Sequence, residues 1–140
     1  MTHRDIAFII KDQEPLILNA EQTVQEACQQ MWARRFGAVL VTDTAGQLVG
    51  IFTGRDAVHA LGQGKNPAHT RLALVMTRDP DCIGPRASAI EALRAMSDGG
   101  YRHLPVLSEG RILGIVSRGD FKGLELDRLE EETELWEHIA

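Results

Sequence analysis

Gly50-Ile51-Phe52-Thr53-Gly54-Arg55-Asp56 returns 64 residues later as Gly114-Ile115-Val116-Ser117-Arg118-Gly119-Asp120. In both passages an apolar run ends on a hydroxyl residue, and an aspartate follows three positions on. Such a run reads as a strand entering a helix whose first turn is capped by the hydroxyl. One passage of this kind is ordinary. Two at a near-constant offset indicate a duplicated unit, and an internal repeat constrains the fold more than any single motif.

The repeat extends upstream. Pro15, Glu26, Ala27, Met31 and Val41 match Pro80, Glu91, Ala92, Met96 and Val106 at an offset of 65, with Thr23 opposite Ser88. The offset drops to 64 where Asp43-Thr44-Ala45-Gly46 is one residue longer than Ser108-Glu109-Gly110, and a turn tolerates such a change. Each copy begins with a short extended run after a proline, Leu16-Ile17-Leu18 or Asp81-Cys82-Ile83. A helix follows at the S/T-x-x-E capping boxes Thr23-Val24-Gln25-Glu26 and Ser88-Ala89-Ile90-Glu91. Its apolar face is Val24, Ala27, Cys28 and Met31 in one copy, and Ala89, Ala92, Leu93 and Met96 in the other, spaced i, i+3, i+4, i+7. Two strands around Gly46 or Gly110 come next, then a second helix, one over residues 55–61 and one starting near Asp120 and extending towards residue 137.

The pattern predicts a mixed α/β (α+β) fold: two β-α-β-β-α repeats packed with pseudo-two-fold symmetry, over residues 8–64 and 72–124, plus an acidic C-terminal helix over 125–140. One unit of about 60 residues is marginal alone, because its sheet leaves a face uncovered, so the repeats are expected to pack on each other.

Bulk properties narrow the function. The chain has 140 residues, 44% of them hydrophobic, enough for a real core. Its net charge of −5 is uneven: residues 125–137 carry seven acids against Arg128, leaving the rest at +1. The body can therefore meet an anion locally, yet it has no basic stripe with interleaved aromatics, and nucleic acid is not an expected partner. No apolar stretch approaches the roughly 20 residues of a membrane span, and the first residues lack a signal-peptide core, which predicts a cytoplasmic protein with no membrane partner. Cys28 and Cys82 lack metal or disulfide spacing and read as buried thiols. The histidines at 3, 59, 69, 103 and 138 lack metal-ligand spacing, so no metal site is expected. No nucleophile–base pair or P-loop string is present, and no enzymatic activity is expected.

The repeated G-h-h-[ST]-x-x-D passages, with Arg102-His103-Leu104-Pro105-Val106 before the second, resemble the CBS-domain pair, or Bateman module, over roughly residues 8–124. The resemblance implies clefts between the repeats that receive AMP, ADP, ATP or S-adenosylmethionine, an adenine slot at Ile17, Ala38 and Ile83, and a homodimer. The residues suit that role. A carboxylate can accept from two vicinal ribose hydroxyls, which assigns Asp56 and Asp120 to ribose. Thr53, Ser117, Arg55, Arg102, His103, Arg118 and Lys122 are candidate phosphate or polar partners, Arg118 and His103 foremost. The plainer reading is that T-x-x-D and S-x-x-D only cap helices. The expectation is a sensor of an adenosine-containing ligand that needs no cofactor and acts in trans on a separate effector protein. The alternative is a structural interaction module with degenerate clefts.

Overall fold

The computed structural model describes residues 5–121. In chain order the elements are α1 (Ile6–Ile9), β1 (Ile17–Asn19), α2 (Val24–Arg34), β2 (Ala38–Thr42), β3 (Leu48–Thr53), α3 (Gly54–Gly62), α4 (Leu72–Val75), β4 (Thr77–Arg78), α5 (Ala89–Gly99), β5 (His103–Ser108) and β6 (Arg111–Ser117). Short 3-10 turns lie at Pro67–His69 and Arg118–Asp120. Packing divides the chain into residues 14–81 and a second unit joining residues 1–13 to 82–140.

The first unit forms because each local signal agrees with its neighbour. Thr23 Oγ1 accepts from the Glu26 N–H at 3.1 Å and starts α2. The Glu26 carboxylate does not turn back to complete the expected box; it accepts from Gln22 Nε2 at 3.1 Å. The helix ends where Arg35 adopts a left-handed conformation, φ 58°. Its inner face, Val24, Ala27 and Met31, meets Leu16, Val39, Val41, Phe52 and Leu72 in one core. The sheet runs β1-β2-β3-β4, with β1 parallel to β2 and the other pairs antiparallel. Strand β2 is buried along its whole length, as expected of a strand covered on both faces.

The second unit repeats the design around α5, capped by Ser88 Oγ accepting from the Glu91 N–H at 3.1 Å. Its core gathers Ala89, Ala92, Leu93, Met96, Leu104, Val106, Val116 and Phe121, together with Ile6 and Ile10 from α1. Two expectations change here. The strand predicted at Asp81-Cys82-Ile83 is only an isolated parallel bridge, Ile83 to Val106. The helix predicted from Asp120 shows within the described residues only as the 3-10 turn, and the C-terminal helix predicted over 125–140 lies outside them, as does Lys122.

The packing limits also differ from the limits of the repeat. Residues 5–13 are sewn to the second unit by Ile6 N–H to Ala87 O at 3.0 Å and Ala7 N–H to Pro85 O at 2.9 Å. The matching bonds in the first unit are Leu72 N–H to Gln22 O at 2.8 Å and Ala73 N–H to Ala20 O at 2.9 Å. Thus α1 and α4 are equivalent, and each repeat is completed by the segment that precedes the other. The signature glycines sit beneath these segments. A Cβ on Gly50 would lie 2.5 Å from Met76 Sδ, and one on Gly114 would lie 2.7 Å from Gln13 Oε1 and 2.9 Å from Ile10 Cβ.

Cys28 is half-buried and Cys82 exposed, which corrects the expectation of two buried thiols; neither is in a disulfide. Alternation explains the difference, since the inward position beside Cys82 is taken by Ile83, packed against the core. Burial raises the Cys28 thiol pKa. No helix among the described residues is long and apolar enough to cross a membrane.

Candidate functional site

Each signature turn forms where an edge of a hairpin hands the chain to a helical turn. In the first repeat Ala38 pairs with Thr53 across the sheet, and the Gly54 N–H donates to Gly37 O at 3.2 Å. Thr53 caps α3, and Asp56 returns the bond. Asp56 Oδ2 accepts from the Thr53 N–H at 2.9 Å and from its hydroxyl at 3.2 Å. Asp56 Oδ1 accepts from the Thr77 hydroxyl at 3.1 Å, a partner from β4 that the spacing did not suggest. Arg55 is exposed on the same turn.

In the second repeat His103 pairs with Ser117, and the Arg118 N–H donates to Arg102 O at 2.9 Å. The Ser117 N–H donates to Asp120 Oδ2 at 2.8 Å. Arg102 and Asp120 are exposed, while His103, Ser117 and Arg118 are half-buried. Burial lowers the His103 pKa; the Arg102 charge lowers it further, and the Asp120 carboxylate opposes both. The three groups therefore share one electrostatic site. The ring is neutral near pH 7, so it can donate from one nitrogen and accept at the other.

The structure thus assembles the predicted polar residues in two groups: Thr53, Arg55 and Asp56 in one, and Arg102, His103, Ser117, Arg118 and Asp120 in the other. The capping role of both aspartates is real, and it leaves carboxylate capacity over. A carboxylate has about four lone-pair positions. Asp56 uses three, whereas Asp120 uses one among the described residues.

The three predicted adenine-slot residues face different surroundings. Ile17 is 42% exposed on β1, Ala38 is buried in β2 beside Thr53, and Ile83 packs into the core of its own unit. Ile83 is the counterpart of Leu18, because Leu18 pairs with Val41 and Ile83 with Val106. The outward counterpart of Ile17 is Cys82, which sequence alternation could have identified.

A separate open groove of about 390 Å³ lies between α2 and α3, lined by Val24, Cys28, Trp32, Ala57 and Leu61 among others. None of the signature polar side chains lines it. Among the described residues no group of three or more His, Cys, Asp or Glu is placed to hold a metal.

Comparison with known proteins gives the family. The CBS domain matches residues 4–63 and again 72–126. A CBS domain-containing protein of Arabidopsis thaliana, CBSCBSPB2, is 42% identical over 102 residues, 72% of this chain. The chain spans only 19% of that relative's length. Among solved structures, the CBS domain protein PAE2072 from Pyrobaculum aerophilum, complexed with AMP, superposes with a TM-score of 0.82 at 19% identity, covering 91% of this chain and 99% of that one. The CBS domain pair of MJ0100, in complex with 5-methylthioadenosine and S-adenosyl-L-methionine, gives 0.78 at 22% identity over 94% and 99%. With the CBS domain matched over both repeats, the chain belongs to the CBS domain family, as a tandem pair.

Proposed function

We propose that this CBS pair is a regulatory module that binds an adenosine-containing ligand, AMP, ADP, ATP or S-adenosylmethionine, at its signature turns and signals in trans to a partner protein. The observation that carries the reading is the exposed carboxylate of Asp120, in electrostatic reach of the half-buried His103 and the Arg102 charge, with Arg118 tied to Arg102 by its backbone on the same turn. That set supplies an acceptor for ribose hydroxyls and donors for an anionic or polar tail. The adenosyl ligands of the Pyrobaculum and MJ0100 structures support the ligand class. The reading assigns the chain no catalytic step and no required cofactor, and it takes the working form as a cytoplasmic homodimer.

A second reading has its own support. Both aspartates already close reciprocal capping boxes without any ligand, so a purely structural interaction module would need the same residues. Thermal-shift titration with AMP, ADP, ATP, S-adenosylmethionine and GTP separates the two. A ligand binding only the folded state stabilises it by about 2.7 kcal/mol at 100 times its Kd. The expected outcome is a raised Tm with one or more adenosyl ligands that is lost in Asp120→Ala, Asp56→Ala or both. No shift with any of the five favours the structural module.

A further inference from the structure

We propose that the two signature turns are not equivalent: the second, built from Arg102, His103, Arg118 and Asp120, is the principal binding site and prefers an adenine nucleotide, held by its phosphate, over S-adenosylmethionine. This rests on the adenosyl-ligand reading above and specifies where and with what charge the ligand binds.

The first argument concerns the carboxylates. In the first turn both oxygens of Asp56 are engaged inside their own unit, Oδ2 by the Thr53 N–H and hydroxyl and Oδ1 by the Thr77 hydroxyl. A ribose diol arriving there competes with Thr77. In the second turn Asp120 is exposed, and among the described residues only its Oδ2 has a partner, the Ser117 N–H. At the 66-residue offset set by the matching bonds of α1 and α4, Thr77 corresponds to Lys11, and among the described residues no side chain donates to Asp120 Oδ1. The lock on Asp56 is therefore not repeated on Asp120.

The second argument concerns charge. Where the second turn has Arg102 and His103, the first has Gly37 and Ala38, so Arg55 is the one cation in the matched segments 37–38 and 53–56. The second turn carries two arginines, Arg102 and Arg118, to one aspartate, and the Arg102 charge acts on the half-buried His103 ring. A phosphate monoester carries roughly −1.5 to −2 at pH 7 and pairs well with guanidinium. The permanent positive charge of a sulfonium is disfavoured in the same field. The first turn, with no excess of either sign, has no such preference.

Isothermal titration of the whole chain with AMP, adenosine and S-adenosylmethionine tests the proposal. AMP is expected to bind about tenfold or more tighter than either competitor, a margin that narrows as salt screens the arginines. Arg118→Gln, which leaves the cap untouched, is expected to reduce the AMP-over-adenosine ratio by about tenfold. Asp120→Asn is expected to weaken AMP binding at least about tenfold more than Asp56→Asn does. Equal or tighter binding of S-adenosylmethionine, an unchanged ratio in Arg118→Gln, or a larger loss from Asp56→Asn overturns the inference while the adenosyl-sensor reading stands. Absence of binding by all three ligands and by ADP and ATP, in a chain whose circular dichroism shows it folded, removes both.

Discussion

His103 is pulled in opposite directions by its surroundings, and the balance fixes how acid acts on this unit. Burial and the Arg102 charge hold the folded ring below the ordinary imidazole pKa, with Asp120 only partly offsetting them. In the unfolded chain the same ring titrates near its usual value of about 6.5. As pH falls past that value the unfolded state takes up the proton first, so acidification destabilises the fold. The cost is absent above about pH 6.5 and levels off once the folded ring is itself protonated. Melting curves of the wild type and His103→Asn at pH 7.5 and pH 5.5 check this. The wild type is expected to lose more Tm between the two pH values than the variant. Equal losses would place the acid sensitivity in other groups. The sequence placed His103 beside the signature correctly because β5 and β6 form a plain hairpin, and hairpin register follows from the turn. It could not supply the sign of the pKa shift, which depends on how much water the fold removes.

At the scale of elements, two prolines account for the strand that the second repeat lacks. In the first unit β1 is held by Leu40 N–H to Leu16 O and Ala20 N–H to Thr42 O, at 2.9 and 2.8 Å. The counterparts of Leu40 and Ala20 are Pro105 and Pro85, which have no N–H to donate. Ile83 N–H to Pro105 O and Leu107 N–H to Ile83 O form the bridge that stands in the strand's place. Both prolines were legible in the sequence. The other edge of that hairpin is closed by a side chain: Gln13 Nε2 donates to Ile115 O at 2.7 Å, and the Ile115 N–H donates to Gln13 Oε1 at 2.8 Å. One amide imitates a strand residue, and no periodicity announces it. Gln13→Leu leaves both half-buried backbone groups without that partner and is expected to cost about 1–3 kcal/mol, read as a lower midpoint in urea denaturation. Gln13→Glu retains the acceptor and is expected to lose less. A Gln13→Leu protein as stable as the wild type would show that water replaces the amide without penalty.

For the whole molecule, the repeat and the packing unit follow different boundaries, which changes how damage spreads. The sequence shows similarity from Pro15 and Pro80 onwards, since the four-residue helices α1 and α4 are too short and too divergent to register as repeats. Their equivalence rests on long-range bonds: Asp5 bridges Ser88 and Arg71 bridges Thr23, placing each helix against the cap of a longer one. Ile6 and Leu72, the first residues of these helices, are both fully buried. Ile6 lies in the core with Leu93, Met96 and Phe121, and Leu72 lies in the core with Val24, Val39 and Phe52. Truncating a large buried aliphatic side chain costs about 2–5 kcal/mol, so each substitution must weaken the core that receives the side chain. Hydrogen exchange monitored by mass spectrometry locates the loss, because local opening accelerates exchange in the weakened segment. Ile6→Ala is expected to speed exchange across α5, β5 and β6 more than across α2, β2 and β3. Leu72→Ala is expected to do the reverse, although Leu72 opens the span 72–124 that the sequence assigns to the second repeat. The opposite assignment, with Ile6→Ala loosening α2 or Leu72→Ala loosening α5, would mean that the repeat limits and not the exchanged helices define the folding units.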